Sequence, residues 1–246
     1  MIERSVFIIL RLAAAVMIAL IVLAESGCVI ITYYGDRGTT IAQSTPPPSI
    51  DHDAIVLFDG KSWTGWHQRD GGPSQWLVQN DGSVQVHNGD AISEQEFGDF
   101  QLHIEFLCPP TAGKTGQAKS NSGVYLHGRY EVQVLDSFGD PPADNLCGGV
   151  YQIAAPLVNA SKPAGQWQSY DIIFRAPRFD DGDKMTDPPR LSVIHNGAVI
   201  HNNLILPHPT PSGLDQTMPA TGPLLLQDHG DPVRYRNIWV RKLAPG

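Results

Sequence analysis

Asp99-Phe100-Gln101-Leu102-His103-Ile104-Glu105-Phe106-Leu107-Cys108 alternates apolar and polar side chains with a period of two. Phe100, Leu102, Ile104 and Phe106 share one face, while Gln101, His103 and Glu105 share the other. That is the pattern of a strand with one side on a core and the other in water. The same alternation recurs where Tyr130, Val132 and Val134 interleave with Glu131 and Gln133. Within Leu191 to His201, Asn196-Gly197 separates two apolar runs and predicts a two-residue hairpin turn. Ile55 to Phe58 reads as a short apolar strand closed by an Asp59-Gly60 turn. Further strands are predicted over 75–79, 82–87, 122–127, 149–153, 167–175, 222–227 and 233–243. About twelve short strands with turn signals between them predict an all-β chain, a two-sheet sandwich or jelly roll.

The totals agree. Of 246 residues, 41% are hydrophobic and 17% charged, a globular composition. The 24 Gly and 20 Pro suit many turns, and no long amphipathic helix is apparent. A formal charge of −8 without any Lys/Arg cluster argues against a nucleic-acid partner.

Residues 1–28 read as an export signal. Arg4 opens it, Leu12 to Ala24 is its apolar run, and Ser26-Gly27-Cys28 ends it. A small-small-Cys ending resembles a bacterial lipoprotein signal, in which Cys28 is lipidated and tethers the chain to a membrane. Glu25 departs from that pattern, and Ala24-Glu25-Ser26 also fits an ordinary cleavage site. An uncleaved anchor over Val6 to Ala24 is the third reading, although Arg11 would be costly inside a bilayer. All three place the chain outside the cytoplasm, in the periplasm or on the outer surface. Residues 29–54, rich in Thr, Ser and Gln and ending in Pro46-Pro47-Pro48, read as a flexible Pro-rich tether. The folded domain is predicted over 55–246. Export also permits a disulfide between Cys108 and Cys147; the alternative is two separate buried thiols.

Two polar clusters carry the candidate chemistry. In the first, Asn121 and Ser122 open one strand, and Glu131, Gln133 and Asp136 belong to the next. Strict alternation turns Asp136 away from Glu131 and Gln133; a bulge at Leu135 would bring it back. The second is Gln227-Asp228-His229, leading to Arg236. Asp228 beside His229 can fix an imidazole tautomer unless the pair merely forms a turn, and histidine suits proton transfer near neutral pH. Carboxyls and amides that bind hydroxyls, with aromatic faces to stack on rings, are what a sugar site needs. Two long loops, Pro109 to Ser120 and Pro207 to Thr221, are predicted to rim it. Gly113-Lys114-Thr115 lacks the first glycine of a phosphate loop. Asp180-Asp181-Gly182-Asp183 reads as an acidic surface turn rather than a calcium loop. The nine histidines show no metal-ligand spacing.

Taken in order, these stretches resemble the 3-keto-disaccharide hydrolase domain family. The likeness runs through Leu57-Phe58-Asp59-Gly60-Lys61, Trp63-Thr64-Gly65-Trp66, Trp76 to Gly82, and Phe97-Gly98-Asp99-Phe100-Gln101-Leu102 with Glu105. It continues through Asn121-Ser122-Gly123-Val124-Tyr125, Tyr130 to Asp136, Gly149-Val150-Tyr151, Gly165-Gln166-Trp167 and Asn196-Gly197. Gly222-Pro223-Leu224, Leu226 to Gly230 and Tyr235-Arg236-Asn237-Ile238 complete it. The resemblance implies a concanavalin-like sandwich and cleavage of glycosides whose glucose C3 is a ketone. His229, oriented by Asp228, is then expected as the base, with Glu131 or Asp136 as the acid. Asn121, Ser122, Gln133, Tyr151, Gln227 and Arg236 are expected to bind substrate. The resemblance leaves open a divalent metal ion near these carboxylates; no cofactor is otherwise implied. The carbohydrate substrate requires a sugar 3-oxidoreductase upstream. Two alternatives stand beside this reading. One is a non-catalytic carbohydrate-binding module. The other is a laminarinase-like glycoside hydrolase, whose paired-carboxyl strand Glu131-x-Gln133-x-x-Asp136 matches only loosely.

Overall fold

The computed structural model describes residues 53–244 and the backbone of 19–23, 29–35 and 38–42. The chain divides into two units, Met1–Asp51 and His52–Gly246. In the first, β1 (Ala19–Leu23), β2 (Val29–Gly35) and β3 (Gly38–Ala42) pair antiparallel. The tether reading did not anticipate this pairing, although Val29-Ile30-Ile31-Thr32-Tyr33-Tyr34 is a run of strong strand formers. Cys28, the remainder of the leader and the Pro46–Pro48 stretch lie outside the described residues. Among the described residues no helix is long and apolar enough to cross a membrane.

The second unit contains β4 (Ile55–Phe58), β5 (Trp66–His67), β6 (Leu77–Val78), β7 (Val84–Gln85), β8 (Ala91–Phe97) and β9 (Phe100–Leu107). β10 (Ser122–Leu126), β11 (Tyr130–Val134), β12 (Gln168–Arg175), β13 (Arg178–Phe179) and β14 (Met185–Asp187) follow. The last are β15 (Arg190–His195), β16 (Ala198–Ile205), β17 (Gly222–Leu226) and β18 (Arg234–Lys242). One sheet runs β11-β10-β17-β8-β5 and the other β16-β15-β12-β9-β18-β7-β6, with β4 also on β18. Both are antiparallel, and they form the two layers of a β-sandwich, as the alternation predicts.

One apolar core lies between the sheets. Phe100, Leu102, Ile104 and Phe106 of β9 are wholly buried in it, as their shared face requires. Val124 and Leu126, Tyr130, Val132 and Val134, and Leu224 and Leu226 meet them from the smaller sheet. Burying each such large apolar side chain contributes roughly 1.5–3 kcal/mol. The Asn196-Gly197 turn forms as predicted: both residues have positive φ, 50° and 85°, which a primed hairpin turn demands. Residues 149–153 make only isolated bridges at Val150, to Val132 and Ala154, instead of a strand. Cys108 and Cys147 are both free buried thiols, so the disulfide is absent and the second reading of the pair holds.

His103 departs from the expectation of a wet face. It is buried, because the Trp239 ring stacks on it at 5.2 Å and Asp171 lies 2.7 Å from its Nδ1. The opposite side of β9 is therefore a polar cluster sealed by side chains from β12 and β18.

Candidate active site

The outer face of the smaller sheet is built by parity. With Val124, Leu126, Tyr130, Val132 and Val134 committed to the core, Gly123, Tyr125, Glu131 and Gln133 must point the other way. Register pairs Tyr125 with Glu131 and Gly123 with Gln133. Yet every residue of β10 and β11 is buried. Loops roof the face: Gly148 N and Gly149 O exchange hydrogen bonds with Gln133, and Glu131 N donates to Thr210 Oγ1 at 2.9 Å. What remains open is a cavity of about 230 Å³. Gln117, Asn121, Tyr125, Glu131, Gln133 and Tyr151 line it together with Pro211, Ser212, Gln227 and His229.

The two remote clusters thus meet in one pocket, with Asn121, Glu131, Gln133, Tyr151, Gln227 and His229 brought together. Both predicted rim loops contribute, through Gln117 and through Pro211 and Ser212.

Glu131 is 3% exposed, and burial pushes its carboxyl up to about 7, with the neighbouring Tyr125 hydroxyl opposing that rise. It can therefore hold or release a proton at neutral pH. Gly123 makes room for it: a Cβ there would sit 2.4 Å from Glu131 Oε1 and 2.9 Å from Tyr125 Cε2. The Tyr125 hydroxyl donates to Pro211 O at 3.1 Å and accepts from Gln227 Nε2 at 3.2 Å, tying the Pro207–Thr221 loop, β10 and the turn after β17 together. Burial, first, and the Glu131 charge hold that phenol protonated.

Two amides add open valences. Asn121 Nδ2 donates to Gln117 O and Oε1 at 3.0 and 3.1 Å, which fixes its orientation and leaves Oδ1 buried without a partner. Gln133 Oε1 is likewise buried and unpartnered. Buried polar atoms seldom remain unpaired without a reason, and both belong to side chains of the cavity wall. They suit the hydroxyl hydrogens of a ligand.

Four expected site residues fall elsewhere. Asp228 does not orient His229: its carboxylate accepts Gly89 N and Gly230 N, both at 2.7 Å, and serves the turn. Asp136 lies beyond the end of β11, with no register shift between β10 and β11 to return it, and sits 4.0 Å from Lys119 Nζ. Ser122 belongs to the core face by the same parity that turns Gly123 outward. Its hydroxyl donates to Gln227 O at 2.6 Å and lies 2.7 Å from the Tyr235 hydroxyl, so it anchors the turn from below. Arg236 is on the other sheet, 2.7 Å from Glu105 and 4.1 Å over the Trp167 ring.

The residues missed were Gln117, Tyr125, Pro211 and Ser212. Tyr125 was recoverable, since alternation puts it on the Glu131 face; the other three lie on loops whose path no periodicity reports. Asp231 was also missed. It is buried, accepts Asn121 N at 3.0 Å and pairs with Lys114 at 2.9 Å, which seats the Pro109–Ser120 loop.

Among the described residues no group of three or more His, Cys, Asp or Glu side chains is gathered as a metal centre would require. The cavity offers one carboxyl, one imidazole and amide oxygens, less negative charge than hard cations usually recruit.

The comparisons agree with this fold. A crystal structure of a candidate glycosyl hydrolase from Parabacteroides distasonis superposes with a TM-score of 0.72 at 36% identity, covering 82% of this chain and 94% of that one. A second structure from the same organism reaches a TM-score of 0.57 at 20% identity, over 78% and 94% of the two chains, and supports the fold. The 3-keto-disaccharide hydrolase of Bacteroides thetaiotaomicron is 24% identical over 255 aligned positions, 79% of this chain and 80% of that protein. Residues 53–241, which hold the sandwich and every lining residue of the cavity, match a single domain description, and the chain belongs to the 3-keto-alpha-glucoside-1,2-lyase-like domain family.

Proposed function

We propose that this protein cleaves the glycosidic bond of 3-keto-glucosides, with Glu131 and His229 as its proton carriers. The observation that carries the reading is the shared cavity. A carboxyl poised near neutrality and an imidazole from a remote turn face the same space, beside two buried amide oxygens without partners.

The chemistry follows from the ketone. A carbonyl at C3 acidifies the hydrogen on C2. One proton carrier removes that hydrogen, the electrons form the C1=C2 bond, and the C1–O bond breaks. The other carrier protonates the departing oxygen, giving an alcohol and a 2-hydroxy-3-keto glycal. Water then adds its hydroxyl to C1 and its hydrogen to C2, so the net change is hydrolysis. The ionised carboxyl of Glu131 suits the base, and its protonated form suits the acid. The free amide oxygen of Asn121 suits a ligand hydroxyl, and the second N–H of Gln227 Nε2 suits the developing enolate oxygen.

A laminarinase-like route needs two carboxyls about 5–5.5 Å apart. This lining holds one, Glu131, while Asp136 stands outside it. That observation favours elimination over double displacement. A purely sugar-binding module has no need of a carboxyl held near pH 7. The reading also calls for a sugar 3-oxidoreductase to make the substrate, and for cleavage outside the cytoplasm if the leader is an export signal with Cys28 as its lipid anchor.

The test is direct. The purified protein is incubated with a glucoside and with its 3-keto form, with and without chelator, and the released alcohol is measured. Release from the keto form alone is expected. Release from the unmodified glucoside, or from neither, overturns the proposal.

A further inference from the structure

The outer face of the smaller sheet holds a second, larger opening, about 470 Å³, that the reaction above does not use. His67, Arg69, Ile92, Glu94, Glu96 and Thr221 are among its lining residues. Its position relative to the first cavity follows from register. Glu131 pairs with Tyr125, Tyr125 with Leu225, Leu225 with Ile92, and Ile92 with His67. This row crosses all five strands, about 19 Å from end to end at roughly 4.8 Å per strand. The first cavity occupies the Glu131 end and the second the His67 end.

A strap from the Pro207–Thr221 loop divides them. Pro211 and Ser212 wall the first cavity, and Leu214 walls the second while packing on Ile92, Tyr125 and Leu225. Arg69 clamps this strap, donating to Ser212 O at 2.6 Å and Gly213 O at 3.2 Å while pairing with Asp90 at 2.5 Å. Arg129 clamps it again through a bidentate pair with Asp215. Both arginine charges are thereby neutralised. Among the described residues no cation pairs with Glu94 or Glu96, which project from β8 and are exposed; Thr221 Oγ1 donates to Glu96 at 2.9 Å. The cleft therefore combines carboxylate acceptors with an apolar floor of Ile92, Pro219 and Pro223. Hydroxyl-rich, uncharged rings satisfy such a surface, whereas anions are repelled by it.

We propose that this second cleft binds the leaving-group sugars of a longer neutral 3-keto-oligosaccharide. The inference rests on the proposed reaction, in which everything attached through the C1 oxygen departs together. A cavity of about 230 Å³ is smaller than sites for drug-sized ligands and accommodates little beyond the ring that reacts. Further units of the substrate then cross the strap and reach the second cleft.

The test compares a methyl 3-keto-glucoside with a neutral 3-keto-trisaccharide, using the full chain and its Glu94→Ala and Glu96→Gln variants. Wild type is expected to prefer the trisaccharide in kcat/KM. Each variant is expected to lose roughly three- to tenfold on the trisaccharide, the worth of a hydrogen bond, and nothing on the methyl glucoside. Equal losses on both substrates, or none on either, overturn the cleft while leaving the reaction intact. If neither ketoglycoside is turned over, the proposed reaction fails instead. The cleft is then judged by titrating an unmodified neutral trisaccharide: amide shifts confined to Glu94, Glu96 and Thr221 support it, and their absence overturns it.

Discussion

Tyr125 and Glu131 are register partners across β10 and β11, so a phenol and a carboxyl stand side by side on the outer face of the smaller sheet. The phenol cannot ionise in that setting, and the carboxyl is held near neutrality by burial. One strand pairing thus sets the protonation chemistry of the cavity. Its consequences are measurable.

Glu131→Gln is expected to abolish turnover while raising stability at alkaline pH. The folded pKa of Glu131, about 7, lies above the ordinary 4.5. Between those values the folded state keeps a proton that the unfolded chain has lost, so wild-type stability falls as pH rises through that window. The full cost of ionisation is on the order of 3 kcal/mol above pH 7. Denaturant melts should find the two proteins equal at pH 4 and the variant more stable at pH 8. A constant difference at both pH values contradicts the assignment.

Gly123→Ala places a methyl 2.4 Å from Glu131 Oε1 and must displace the carboxyl. Misplacing a proton carrier by about an ångström costs on the order of a hundredfold. The expected loss is in kcat, with an altered pH profile and a folded protein by circular dichroism. Unchanged kcat would mean that the carboxyl has room to spare.

Asp228 and His229 should separate on mutation. His229→Ala is expected to lower kcat by roughly a hundred- to ten-thousandfold, the usual worth of a proton carrier. Asp228→Asn keeps an acceptor for one of the two amides, Gly89 N and Gly230 N, and loses the other, which loosens the turn but should cost less than tenfold. Comparable losses from both would restore Asp228 as the orienting partner of His229.

On the other sheet, His103 lies between Asp171 and Glu105. Burial alone would lower its pKa, but the two carboxylates outweigh it and hold the imidazolium up to about 9. The stabilisation is fully present below pH 6.5 and disappears as pH rises through about 9. Glu105 acts in the opposite sense. Burial opposes its ionisation, yet His103, Asn237 and Arg236 bring it down to about 2, so its contribution is lost only in strong acid. The melting temperature of His103→Gln should approach that of wild type between pH 7 and 9. A pH-independent gap contradicts this account.

Arg69→Met removes the clamp on Ser212 and Gly213 and strands Asp90, whose other oxygen accepts Asp228 N at 2.8 Å. Two walls of the cavity lose their shared support. A several-fold rise in KM is expected, with faster proteolytic nicking within 207–221, and Arg69→Lys should recover part of the loss. An unaltered nicking rate would show that Arg129 holds the strap alone.

Most of the sandwich was legible because period two is enforced wherever one face is a core. β9 to β12 and the Asn196-Gly197 hairpin lie where alternation and turn chemistry put them. Parity also identified Glu131 and Gln133 as neighbours on one face. The sequence reading failed where side chains compete for hydrogen bonds that pattern cannot express. Asp228 is taken by Gly89 and Gly230, Ser122 by Gln227 and Tyr235, Arg236 by Glu105. Each was credited to the site for its chemistry, and each is spent holding backbone or strands in place. Gln117, Pro211 and Ser212 stayed hidden because a loop's route depends on distant clamps, such as Lys114 to Asp231 and Arg69 to Asp90.

The floor of the cavity is made of β10 and β11, buried along their whole length and stitched to the opposite sheet through Ser122 and Tyr235. Such a base has no slack, so substitutions in it are felt as defects. The roof is different: Tyr151, Gln117 and the Pro211–Ser212 strap border the cavity from loops that carry no core strand. The Glu131 carboxyl therefore rides on the rigid sheet, while the walls that would meet the rest of a bound molecule ride on loops, so the shape of the opening can change without disturbing the fold.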